Sequence, residues 1–203
     1  RGVDDDVVAH GDAAPNQLNG RVGPAHLAVD VAVAEGSIEG RESFALLSPL
    51  ENLYFKAGYF LLPYGLRIWG DEEFIRSVTK VNYATPDLGA EVSYDLENFS
   101  IFMAVTNGAG GGVDSDNFKK ISLVSEYSEK NYRLGLSGSF NRSEIEALIM
   151  SGPFAGLSWG RITILSEVDI LRHQYLGKDV VVNELLLYNE LDFLLTKGAN
   201  LKF

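Results

Sequence analysis

The chain has 203 residues, a formal charge of −11 and no cysteine. That length suits one large domain or two small ones, and the acidity argues against a nucleic-acid binder held by phosphate contacts. The lack of cysteine excludes disulfides, thiolate zinc sites, cysteine nucleophiles and Cys-x-x-Cys-His haem attachment, and the longest apolar run, 57–63, is too short for a membrane helix.

Residues 1–23 are acidic and glycine-containing, with Asp4, Asp5 and Asp6 followed by Gly11, Pro15 and Gly20, and read as a loop with at most one poor strand. From 24 to 203 the chain alternates apolar and polar residues, segment after segment, which is the period of a β-strand. The alternating segments are 25–34, 41–48, 53–62, 89–96, 99–106, 118–128, 132–141, 145–159, 162–171 and 181–195, with the start of another at 201–203. In 53–62, Leu53, Phe55, Ala57, Tyr59 and Leu61 share one face, and Tyr54, Lys56, Gly58, Phe60 and Leu62 the other; Pro63, with no N–H to donate, ends the run. Gly152-Pro153 interrupts 145–159 and suggests a bulge there. In 181–195 Asn189 is the misfit on an otherwise apolar face.

The turns at 49–52, 97–98, 128–131, 159–161 and 196–200 are short, whereas 64–88, 107–117 and 172–180 are long. Within 64–88, Asp71 to Lys80 suits a short helix with Asp71 as its cap. About ten strands of about ten residues each, joined by alternating short and long connections, is the layout of an outer-membrane barrel. The chain starts without Met or a signal peptide and stops inside an alternating run, so it reads as a mature piece or a fragment of a larger barrel of about 12 to 18 strands.

A soluble antiparallel sheet also alternates. Three features favour an antiparallel transmembrane β-barrel. The apolar faces are large and aromatic-rich, with no helix to cover them. Charges sit in mid-strand on the other face: Lys56, Glu91, Glu126, Arg133, Glu167, Asp169, Glu190 and Asp192, where a lumen would solvate them. Tyr54, Tyr59, Tyr94, Tyr127, Tyr132 and Trp159 lie near strand ends, where aromatic girdles form.

The stretch Tyr54-Phe-Lys-Ala-Gly-Tyr-Phe-Leu-Leu-Pro-Tyr-Gly-Leu-Arg67, with Asp71 and Phe74-Ile-Arg76 beyond it, resembles a strand-to-loop motif of bacterial porin-type proteins. It is similar to the glycine and proline-aromatic-glycine pattern of the phosphate-selective porin superfamily. Pro86 to Tyr94 and Ala104 to Gly108 add to the likeness, which spans about 41–203. The resemblance implies a bacterial outer-membrane barrel. The family's phosphate selectivity depends on lysine-rich constrictions; this chain has isolated lysines and an acid-rich inner face, so that property is not carried over.

Arg67, Asp71, Glu72, Glu73 and Arg76 are candidates for a pore constriction, because a loop folded into the lumen would set the field there with these charges. Otherwise they belong to an exposed loop and are solvated or paired with each other. The eight mid-strand charges are candidate lumen-lining groups. Among them Glu167, Asp169, Glu190 and Asp192, with Glu184, suggest an acidic wall, to which Arg133, Lys119, Lys120 or Arg161 could pair. His10, His26 and His173 lack metal-ligand spacing, so no metal is expected. Gly108 to Gly112 resembles a phosphate loop only in glycine content and reads as a flexible connection. No nucleophile–base spacing occurs, so no enzyme activity and no cofactor are expected. The leading expectation is a channel for passive diffusion of small hydrophilic solutes through the outer membrane, with lipid around it and either further copies or a lumenal protein as partners. The alternatives are a structural barrel sheathing a multihaem cytochrome and a soluble ligand-binding barrel.

Overall fold

The computed structural model describes residues 18–22, 25–34, 37–67, 74–82, 85–110, 112–114, 116–197 and 199–203, with side chains from residue 42 onward. Among the described residues twelve antiparallel strands form one open sheet, each paired with its neighbours in sequence. They are β1 (Leu18–Val22), β2 (Ala25–Ala34), β3 (Ser37–Leu50), β4 (Leu53–Phe60), β5 (Asp87–Leu96), β6 (Phe99–Thr106), β7 (Lys120–Glu129), β8 (Tyr132–Arg142), β9 (Glu146–Trp159), β10 (Ile162–Tyr175), β11 (Val180–Thr196) and β12 (Ala199–Lys202). A single turn of helix, α1 (Phe74–Thr79), lies between β4 and β5. The strands beyond the expected ten are the short ones at either end, β1 and β12.

Most segments stand where the alternation puts them, and the differences have local causes. β3 begins at Ser37 and its turn is only Glu51-Asn52, with Asn52 in the left-handed region at φ 64°. β10 and β11 run on to Tyr175 and from Val180, so the expected long connection at 172–180 is a tight turn of residues 176–179. The polar residues there are strand residues: Arg172 and His173 pair with Asn183 and Val182. The bulge expected at Gly152-Pro153 is absent. The β9–β10 ladder skips a step opposite Val168 and Asp169 and resumes in the same register, while β8 pairs without interruption through Leu136 and Pro153. A proline withdraws one donor from one side of its strand, and here that loss is absorbed without inserting a residue. The helix occupies part of the expected stretch, but its proposed cap, Asp71, lies outside the described residues.

The two faces of this sheet are inverted relative to a soluble protein. One side buries Asp87, Glu91, Ser93, Thr106, Lys120, Ser122, Ser137, Ser139, Glu167, Asp169 and Glu190. The other exposes Leu88, Ile101, Met103, Leu123, Leu134, Ile149, Ile164 and Ile170, and Leu136, Leu185 and Leu187 are each more than 60% exposed. Water penalises a continuous apolar surface of this kind, whereas hydrocarbon favours it. Asn189 keeps its place on the apolar face because Ser166, its cross-strand neighbour, donates a hydrogen bond to its Oδ1 at 2.9 Å. Tyr94, Tyr127, Tyr132 and Trp159 are exposed near the ends of their strands, Tyr127 and Tyr132 stacking with ring centroids 6.0 Å apart. Tyr54 differs: it shares its face with Lys56 and points with it to the inner side.

No described helix is long and apolar enough to cross a membrane, and strands would do so instead. The buried apolar cluster sits on the polar side of the sheet. It is formed by the connection after β4 (Leu61, Leu62, Tyr64, Leu66, Ile75 and Val81) against Val124, Met150, Phe154, Leu171, Leu186 and Tyr188 from the strands. Leu61, placed by alternation on the outer face, is thus buried inside.

Candidate functional site

Segment 61–67 turns inward because Pro63 cannot extend the ladder and Gly65 takes a left-handed φ of 57°. Its polar groups are then satisfied by carboxylates from distant strands. Leu61 N–H donates to Glu42 of β3 at 2.7 Å, and Leu66 N–H donates to Glu167 of β10 at 2.8 Å. The Tyr64 hydroxyl donates to Asp169 Oδ1 at 2.9 Å. Burial and the neighbouring Asp169 carboxylate both push the Tyr64 phenol above its ordinary range, keeping it a neutral donor. One short segment touching β3 and β10 requires the sheet to curl around it.

Arg76 of α1 closes this arrangement. It is 2% exposed, its Nη2 donates to Leu66 O at 2.6 Å, and it forms an ion pair with Glu167, itself fully buried. A guanidinium can bridge a backbone carbonyl and a carboxylate at once because its donors are held in a rigid fork. The inturned segment is therefore tied to β10 at Tyr64, Leu66 and Arg76.

The five constriction candidates separate. Arg76 is in the buried latch. Arg67 is exposed, lies 3.8 Å from Glu91 and stands over the Phe102 ring at 5.5 Å. Asp71, Glu72 and Glu73 lie outside the described residues.

The eight lumen-lining candidates all fall on the inner face. Lys56 and Glu91 pair across β4 and β5 at 2.8 Å, with Lys56 also over the Phe44 and Phe60 rings. Arg133 Nε donates to Glu126 at 3.1 Å and its guanidinium covers Phe154. Glu190 pairs with Lys202 of β12 at 2.8 Å and accepts from Tyr188, with Asp192 beside it. The acidic wall is compensated in part, and by partners other than those expected from the sequence. Glu167 takes Arg76, Glu190 takes Lys202, and Lys119 goes to Asp114 in the loop. That bond from Lys119 holds the Asp114 carboxyl below its usual range. Arg161 donates to Leu195 O, and Glu184 faces His173 Nε2 at 3.8 Å. Tyr64, Glu42 and Asp87 were not singled out by sequence reasoning. The signal available was Pro63-Tyr64-Gly65, a turn that places a phenol beside a glycine.

Two cavities lie on opposite sides of the inturned segment. One of about 270 Å³ opens towards the long connections, lined by Lys80, Lys120, Asn141 and His173 among others. The second, about 100 Å³, lies towards the short turns between Tyr64, Arg67, Phe102, Glu126 and Arg133. Residues 61–67 and 74–81 thus stand between the two cavities on the inner side of the curled sheet.

Gly65 makes this packing possible. A Cβ there would collide with the Glu167 carboxylate. Gly160, at a similar φ of 63°, has open space around its Cβ position. Gly65→Ala is expected to lift the segment from β10, with susceptibility to limited proteolysis between Arg67 and Lys80 rising sharply. Gly160→Ala carries only the left-handed backbone cost, about 1–2 kcal/mol, and is expected to leave that proteolysis unchanged. Equal behaviour of the two variants would refute the packing role of Gly65.

No family model and no curated protein matches this chain. Among solved structures it is similar to OmpT, an in-vitro folded outer membrane protein of Vibrio cholerae in its trimer form. The TM-score is 0.53 at 9% identity, covering 92% of this chain and 76% of that one. At that identity the likeness is one of fold. With the inverted faces described above, it establishes an all-β antiparallel barrel of the outer-membrane type, and it does not extend to the phosphate-selective porin superfamily.

Proposed function

We propose that the protein is a porin-like channel of the bacterial outer membrane through which small hydrophilic solutes diffuse passively. The observation that carries this reading is the inturned connection, residues 61–67 and 74–81, docked on a charged inner face and leaving solvent-sized cavities on both sides. A loop that narrows a polar lumen confers selection by size and charge at a constriction. Arg67, with Glu91, Glu126 and Arg133 nearby, is the charged rim of that constriction on the short-turn side. The chemistry is non-enzymatic, with lipid against the outer face.

The sheath reading is less favoured, since the inner face is already covered by the chain's own segment and cavities of about 270 and 100 Å³ are far smaller than a haem protein. A soluble barrel is disfavoured by the exposed leucines of β8 and β11. The trimer form of the Vibrio cholerae protein motivates a homo-oligomer as the assembly to look for. Purified protein reconstituted in planar bilayers is expected to give discrete conductance steps, with Arg67→Glu shifting the cation-to-anion permeability ratio towards cations. Protein that shows heat-modifiable gel mobility, and hence a folded barrel, yet stays silent in the bilayer would refute the channel.

A further inference from the structure

The cavity of about 270 Å³ on the long-connection side has a charge arrangement that the channel reading does not use. Lys120, the first residue of β7, lines it and is only 6% exposed. Among the described residues no hydrogen bond or ion pair reaches its ammonium group. Lys80, placed by its left-handed φ of 53° just after α1, lines the same cavity, and its charge acts on Lys120.

Of the acids nearby, only Asp87 acts on Lys120, and among the described residues none forms an ion pair with Lys80. The Asp87 carboxylate accepts from Gly108 N–H at 2.6 Å and from Leu88 N–H at 3.0 Å. Glu146 is paired with His173, and Glu184 approaches the other nitrogen of that ring. Two ammonium groups facing one cavity, one of them desolvated, are unfavourable unless an anion joins them. The remaining walls include the apolar Val78 and Leu148, the amide of Asn141, and Glu146 with its carboxylate held on His173.

We propose that this cavity binds a small organic carboxylate. The carboxylate group sits between Lys80 and Lys120, and the carbon skeleton lies against Val78 and Leu148. The volume and the apolar walls select this class over a bare inorganic anion, which would leave both unfilled. As an entry station for a permeating solute the site rests on the channel reading; binding at equilibrium does not.

The test is isothermal titration calorimetry of the full chain folded in detergent micelles, with malate as the probe and inorganic phosphate as the comparison. Malate is expected to bind saturably at one site and more weakly as sodium chloride is raised. Lys120→Met is expected to weaken binding by about tenfold or more, the effect of losing one charge-assisted contact. Lys80→Ala, at an exposed position, is expected to weaken it several-fold with heat-modifiable mobility intact, so a folding failure of the first variant leaves the question decidable. No malate binding by the wild-type protein, or equal binding by the variants, would overturn the site. Phosphate binding as tightly as malate would overturn the carboxylate assignment. A protein silent in planar bilayers that binds malate would sink the channel and leave this site standing; conduction without malate binding would do the reverse.

Discussion

Replacing Arg76 by methionine is expected to release residues 61–67 and 74–81 from the inner face while the strand ladder stays intact. Met fills much of the space but removes the cation from Glu167, which is fully buried beside Asp169. Breaking one side of a buried ion pair costs about 3–5 kcal/mol, chiefly because the remaining charge is left uncompensated. That cost falls on the docking of the segment, since the strands hold each other through their own backbone bonds. The latch is also incompletely satisfied: Arg76 Nε and Nη1, Glu167 Oε1 and Asp169 Oδ2 have no partner among the described residues. Limited trypsin digestion is expected to cut Arg76→Met at Arg67 or Lys80 under conditions where wild-type protein is protected, with unchanged heat-modifiable mobility. Adding Glu167→Gln, which removes the stranded charge, is expected to restore part of the protection. Full protection of the single variant would show that apolar packing alone holds the segment.

Leu187→Arg carries the second large effect, and it tests the medium outside the sheet. Leu187 lies in the middle of β11 and is 62% exposed. In water such a substitution at an exposed position changes stability by only about 0.5 kcal/mol in either direction. At the midplane of a bilayer an arginine on the lipid face costs about 2–4 kcal/mol, falling to about 0–1 kcal/mol near the interface. Unfolding by guanidinium in lipid vesicles is expected to show this loss for Leu187→Arg and little loss for Val181→Arg, on the same outer face near the strand end. Equal small effects at both positions would mean that the outer face meets water.

The two experiments probe complementary surfaces of one object. An apolar exterior can face lipid only if every backbone group of the spanning segments is paired within the sheet. Strands β2 to β11 are flanked on both sides by neighbours in the sheet, and their mid-strand charges point inward. There the charges are paired across neighbouring strands, as Lys56 with Glu91 and Arg133 with Glu126, or across the lumen, as Arg76 with Glu167. Cross-strand pairs are set by register, so they survive any movement of the inturned segment. The cross-lumen pair exists only while that segment is docked, which is why Arg76 is the position where a single change is expected to release it.

Alternation along the chain determined the strands, their antiparallel order and which face each side chain takes, because a period of two is a local property of extended backbone. For the same reason the sequence placed all eight mid-strand charges on the inner face, and Pro63 marked where β4 stops. It left undecided where the next connection goes, and it misjudged 172–180, where charged strand residues have the composition of a loop. Partners across the lumen were illegible too. Glu167 and Arg76 are 91 positions apart, and Tyr64 and Asp169 are 105 apart. No spacing rule links such pairs. Only the curl of the sheet brings β3 and β10 to opposite sides of one short segment, and only the absent Cβ of Gly65 lets that segment reach the Glu167 carboxylate. The wall was written locally in the chain; the docking of segment 61–67 on it is a product of the curl in three dimensions.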